Sequence, residues 1–96
     1  MKHCILVKYT EEVTPEKKEA LIPEITAVFQ PLMTMEGIHG IDVIPNVVDR
    51  PNRYDLCIRI DMDQEVLTEY DHSEPHKVWK SEYAHYLAKK AIFDYE

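Results

Sequence analysis

His3, Tyr70 and His76 are the three side chains of this sequence whose types and placement could move or hold a proton together. Read forward from His76, the residues His76, Trp79, Tyr83 and Leu87 fall at i, i+3, i+7 and i+11, one face of a helix. Because that face carries the aromatics it should be the buried one, with Lys77, Lys80, Glu82 and His85 left for water. His3 shares a period-two strand face with Ile5, Val7 and Tyr9, the face expected to lie beneath the helices. Three polar groups then converge on one space between layers, the arrangement of a ligand pocket, with Trp79, Tyr83 and Tyr9 as ligand-binding candidates. His76 would act as a general base removing a proton α to a carbonyl. Tyr70 would hydrogen-bond the developing enolate oxygen, and His3 would orient substrate or a water. The competing reading has the three groups satisfy one another and nearby carbonyls in a closed core.

Other pairings carry less. His72 and His76 are four apart, but Ser73 and Pro75 lie between them and no third ligand has a fixed spacing, so no metal is expected. No cofactor motif is present either. Ser73 is better used as a helix cap than as a nucleophile, since no acid orients a Ser73–His76 pair. Glu11, Glu12 and Glu16 flank a helix start and complement its dipole. His39 and His85 are expected at the surface. Cys4 and Cys57 sit inside apolar strand-like runs without a C-x-x-C pattern, and are expected reduced.

The elements that must position these groups can be read in order. Lys2 to Tyr9 is a β-branched and aromatic strand. Thr14 caps and Pro15 opens a helix whose apolar positions are Leu21, Ile25, Val28, Phe29 and Leu32, with Pro23 bending or splitting it and Gly37 beyond its end. A second strand runs from Ile38 to Val48, turn chemistry follows at Asp49-Arg50-Pro51-Asn52, and Arg53 to Asp61 alternates almost strictly. Asp61 or Asp63 caps a short helix with Val66, Leu67 and Tyr70 inward, and the Asp61…Gln64 spacing allows a capping box. Ser73 and Pro75 restart the helix, which is expected to run to Lys89–Lys90, its cations facing the C-terminal dipole. Ala91 to Tyr95 closes the chain as a last strand.

That order is β-α-β-β-α-β, an α+β, ferredoxin-like plan in which two right-handed crossovers put both helices on one face of a four-stranded antiparallel sheet. The 96 residues make one domain. The opposite face, with Cys4, Leu6, Cys57 and half of the second strand, is too apolar to leave wet. A second copy stacking sheet on sheet is the simplest cover. Hiding ~600 Å² of apolar area at ~25 cal/mol per Å² gives ~15 kcal/mol gross, before association costs. Eleven basic against eighteen acidic residues, with the basic ones scattered, argue against a nucleic-acid partner. No stretch has the apolar length of a membrane span and nothing marks export, so the expected compartment is the cytoplasm.

The chain resembles the stress-responsive dimeric α/β-barrel (Dabb) family over nearly its whole length. The resemblance lies in the start His3-Cys4-Ile5-Leu6-Val7-Lys8-Tyr9, the Tyr54-Asp55-Leu56 strand, the Tyr70…His76 segment and the ending Phe93-Asp94-Tyr95-Glu96. It implies a homodimeric barrel. Members include stress-induced plant proteins and a cofactor-free polyketide cyclase, in which the histidine corresponding to His76 is catalytic and the tyrosine corresponding to Tyr70 assists. The family's Tyr-x-x-His-Pro-x-His pattern is altered here: Ser73 and Glu74 replace His-Pro, proline has moved to Pro75, and a histidine stands early at His72. Three functions are therefore expected in turn. They are a small homodimer binding an organic ligand, a cyclase-like enzyme with a histidine base, and, by fold analogy, a cofactor-independent monooxygenase.

Overall fold

The computed structural model describes residues 1–96 as a single four-stranded antiparallel sheet carrying its helices on one side. Strand β1 is Lys2–Tyr9, β2 Ile38–Pro45, β3 Leu56–Met62 and β4 Leu87–Tyr95, in the spatial order β2-β3-β1-β4. The first crossover is α1, Pro15–Phe29, continued by a 3₁₀ segment over Gln30–Thr34. The second is split: a 3₁₀ turn at Gln64–Val66, then α2, Leu67–Asp71, then α3, Glu74–Glu82.

Local chemistry explains each boundary. Thr14 Oγ1 accepts from the Lys17 amide at 3.1 Å, and Pro15 sits in the first turn, where no N–H is needed. Helix α1 runs unbroken through Pro23, which faces solvent, so the carbonyl it leaves unpaired can bond water. It tightens to 3₁₀ only at Gln30-Pro31. Leu21, Ile25 and Phe29 are its buried positions, and Leu32 is that of the 3₁₀ segment. Gly37, at φ +92°, turns the chain into β2, where an added Cβ would stand 2.7 Å from Val66 Cγ1. The expected capping box is not formed. Asp61 lies within β3, and Asp63, at the N-cap position, makes no side-chain cap because its Oδ1 accepts from His39 Nε2 at 2.9 Å.

Three other boundaries differ from expectation. Strand β2 stops at Pro45 and β3 starts at Leu56, so the connection is longer than Asp49–Asn52. Helix α3 stops at Glu82, and Lys89 and Lys90 lie in β4, not in a last helical turn. Leu87 therefore starts a strand and does not extend the His76–Trp79–Tyr83 face. The Leu87-Ala88-Lys89-Lys90-Ala91 run has good helix propensity, yet β4 pairs with β1 along its length, from Lys2 opposite Tyr95 to Tyr9 opposite Leu87. Pairing with an existing strand outweighs a few tenths of a kcal/mol per residue of local preference.

Strand register assigns the two faces. His3, Ile5, Val7 and Tyr9 share the helix side with Ile60, Ile58 and Leu56 of β3 and with Asp94, Ile92 and Lys90 of β4. Ile5, Val7, Tyr9, Leu56, Ile58 and Ile60 meet Leu21, Ile25, Phe29, Tyr70 and Trp79 in one core. The other face carries Cys4, Leu6, Cys57, Ile44, Ala91, Phe93 and Tyr95, with nothing packed over it. Phe93 is 62% exposed, Tyr95 42% and Ile44 40%, an apolar surface that an isolated subunit would leave in water.

Candidate functional site

His3 is fixed by β1, the central strand that β3 and β4 flank, and is 6% exposed. Directly opposite on β4 stands Asp94, whose Oδ1 accepts from His3 Nδ1. Asp94 is a site residue that sequence reasoning did not single out. The signal was the antiparallel return of the last strand, which puts its second-to-last residue, Asp94, beside His3 near the start of β1.

Tyr70 lies in the last turn of α2 and His76 in the first turn of α3, and Ser73 ties them together. Its hydroxyl donates to the Tyr70 carbonyl at 2.6 Å and accepts from the His76 amide at 3.3 Å. One residue thus closes the first helix and caps the second. The rings then meet in a row. His3 and Tyr70 approach edge to face with centroids 5.3 Å apart, and Tyr70 and His76 follow at 4.9 Å.

Electrostatics give His76 and Tyr70 different roles. His76 Nδ1 lies 2.9 Å from the Asp71 carbonyl oxygen, which can only accept, so Nδ1 carries the hydrogen and Nε2 keeps its lone pair. Desolvation by burial lowers the pKa of His76 below the usual imidazole value. The Asp71 carbonyl and carboxylate pull the other way, and the Lys80 and Lys90 charges lower it further. The ring is neutral and basic at pH 7. Tyr70 is 1% exposed, and burial, aided by the Asp71 charge, pushes its phenol well up, so it remains a donor and not a base. Its hydroxyl is buried without a hydrogen-bond partner.

The remaining candidates lie elsewhere. Trp79 is packed between Phe29 and Tyr83, stacked on the latter at 5.7 Å, and Tyr83 donates to Glu24 Oε1 at 3.3 Å. Both belong to the seam between α1 and α3. Tyr9 is six residues along β1 from His3, about 20 Å at strand rise. Its own hydroxyl is buried and unpartnered, and burial together with Asp55 pushes it up to about 12. Tyr9 borders a cavity of about 400 Å³ between α1 and the β2–β3 connection, walled also by Lys18, Ile22, Val48, Asp55 and Leu56. That cavity does not include His3, Tyr70 or His76 in its walls.

No family model matches the chain, and no curated protein sequence does. Solved structures do. A dimeric protein of unknown function and ferredoxin-like fold from Bacteroides fragilis matches with TM-score 0.78 at 20% identity, over 99% of this chain and 93% of the other. A Dabb family protein with a ferredoxin-like fold from Mesorhizobium loti matches with TM-score 0.72 at 13% identity, over 99% and 93%. A hydroxynitrile lyase from Passiflora edulis matches with TM-score 0.71 at 13% identity, over 98% and 89%. The chain has the ferredoxin-like fold that these proteins share, the Dabb family protein among them.

Proposed function

We propose that the protein is a Dabb-type homodimer that binds a small carbonyl-bearing organic molecule between its helices and its sheet, at His3, Tyr70 and His76. The observation that carries this reading is the Tyr70 hydroxyl, a buried donor with no acceptor. Leaving such a group unpaired costs roughly 1–3 kcal/mol, which a ligand carbonyl arriving at that point would recover. The dimer is supported by the uncovered apolar face of Phe93, Tyr95 and Ile44 and by the dimeric proteins that share the fold. No helix is long and apolar enough to cross a membrane.

A second reading adds chemistry, and the His76 tautomer favours it. With Nδ1 committed to the Asp71 carbonyl, Nε2 is free to take a proton from the carbon next to the ligand carbonyl. The C–H electron pair becomes the enolate C=C bond, and the oxygen, now negative, accepts from Tyr70. Return of the proton from His76 restores the base. A hydroxynitrile lyase on the same fold supports the capacity of such a frame for proton-transfer chemistry.

The test is titration of the wild-type protein and Tyr70→Phe with small neutral ketones, following the His76 ring resonances by NMR. Saturable shifts that disappear in Tyr70→Phe are expected. Absence of any saturable shift in the wild type overturns the binding reading. Deuterium uptake at the ketone α-carbon, lost in His76→Gln, separates catalysis from binding.

A further inference from the structure

We infer that the cavity between α1 and the β2–β3 connection is a second ligand site, taking a neutral ring compound that presents one hydrogen-bond acceptor to the Tyr9 hydroxyl. It lies at the other end of β1 from His3 and does not depend on the carbonyl-binding reading above.

The cavity measures about 400 Å³, within the range of small-molecule sites. Pro15, Lys18, Glu19 and Ile22 fall at i, i+3, i+4 and i+7, so one stripe of α1 forms its roof. Tyr9 of β1 and Leu56 of β3, both buried, form its floor. The side wall is the β2–β3 connection, which its own bonds hold in place. The Asn46 amide donates to the Asp55 carbonyl at 2.9 Å and its Nδ2 to the Tyr54 carbonyl at 2.9 Å, while its Oδ1 accepts from the Val48 amide at 2.9 Å. Asp55 ties the three walls together. One of its carboxylate oxygens accepts from the Tyr9 amide at 2.9 Å and the other from Lys18 Nζ at 3.1 Å.

The polar groups set the chemistry of the ligand. Both ends of the Asn46 side chain, both Asp55 oxygens and the Lys18 ammonium are bonded within the protein. The Tyr9 hydroxyl is the one buried side-chain group of these walls without a partner. Tyr9 is 5% exposed, so bulk water does not serve it, and its acceptor must come from the cavity that its ring borders. Burial, then the Asp55 charge, pushes the phenol up to about 12, so it stays a neutral donor. Around it stand Ile22, Val48, Leu56, Pro15 and Pro45, which reward an apolar body. A ring carrying a single oxygen covers those side chains and gives the hydroxyl its acceptor. Glu19 and Asp49, exposed in the outer walls, join Asp55 to set three carboxylates against the one ammonium of Lys18, and an anionic ligand is repelled.

The experiment titrates the full chain with indane, indanone and indane carboxylate, three probes built on one ring system. NMR follows the methyl resonances of Ile22, Val48 and Leu56 together with the His76 ring. Saturable shifts of the methyl groups are expected with indanone, at roughly fivefold higher affinity than with indane, the worth of one neutral hydrogen bond. The carboxylate should bind roughly tenfold more weakly than indanone. In Tyr9→Phe indanone and indane should bind equally, and retained indane binding there shows the cavity intact. Ile22→Trp, which fills the cavity from the α1 side, should abolish binding of both. Absence of a saturable methyl shift with every probe overturns the inference. So does equal wild-type affinity for indanone and indane, a preference for indanone that survives in Tyr9→Phe, or a carboxylate bound as tightly as indanone. Shifts confined to the His76 ring also overturn it, and leave the carbonyl-binding reading standing. Should Tyr9→Phe be unfolded by circular dichroism, the wild-type ratio of indanone to indane affinity decides alone.

Discussion

Replacing Tyr70 by phenylalanine should stabilise the ligand-free protein. Tyr70 is 1% exposed, its ring packs between His3 and His76, and only its hydroxyl is unpaired. The ring contacts survive the substitution, so the change removes the penalty of a desolvated donor and little else. That penalty is about 1–3 kcal/mol, of which a part returns as lost dispersion at the vacated oxygen, leaving a net gain of about 1 kcal/mol. For a domain of this length 1 kcal/mol moves the midpoint of thermal unfolding by roughly 4–8 °C. Urea unfolding of both proteins at one fixed protomer concentration measures it, with an unchanged slope as the check that the denatured states match. Tyr9→Phe is the internal comparison, because the Tyr9 hydroxyl is also buried and unpartnered. A loss of 1 kcal/mol or more in Tyr70→Phe would mean the hydroxyl is satisfied in the folded protein, and the case for a ligand acceptor there would fail with it.

The His76 ring should titrate with a midpoint below the ordinary imidazole value, read from its Cε1–H resonance; a midpoint above that value refutes the burial argument. Because the folded pKa is depressed, the unfolded chain binds the extra proton first. The contribution of His76 to stability is thus complete above about pH 6.5 and is lost as pH falls through the lowered folded value, and any base-dependent activity falls over the same limb. Phe93→Asp should convert the assembly into single subunits of low stability by sedimentation velocity, since each copy would lose an aromatic anchor worth roughly 1.5–3 kcal/mol; a dimer unchanged at micromolar concentration would contradict the sheet-to-sheet arrangement. Gly37→Ala should cost at least about 2 kcal/mol in urea unfolding, from the left-handed backbone and from the 2.7 Å approach of the new Cβ to Val66. A change under 0.5 kcal/mol would show that this turn relaxes freely.

The strands and the first helix were legible because their signals are local and agree: β-branched alternation in β1 and β3, and Thr14-Pro15 ahead of an apolar stripe in α1. The convergence of His3, Tyr70 and His76 was legible too, since strand parity and helix phase each fix a direction. What escaped were outcomes set by partners distant in sequence. Helix α3 ends where β4 is recruited by β1, and nothing between Tyr83 and Ala91 announces it. Asp63 gives up its cap to His39, twenty-four residues away. Asp94 becomes the partner of His3 only once the two ends of the chain lie side by side, and the bare helix side of β4 is visible only when the helices are seen to stop short of it.

The alternation of β4 has a consequence for how this protein can change. Its even-numbered residues Lys90, Ile92 and Asp94 lie on the helix side of the sheet, Asp94 against His3, and its odd-numbered residues Ala91, Phe93 and Tyr95 lie on the uncovered face. Inserting or deleting one residue ahead of Lys90 would exchange the two sets wholesale, turning the aromatics to the helix side and the charges onto the uncovered apolar face. Length variation in this last strand is tolerable only in pairs, and a lineage that alters one set of its side chains does so under the constraint of keeping the other in phase.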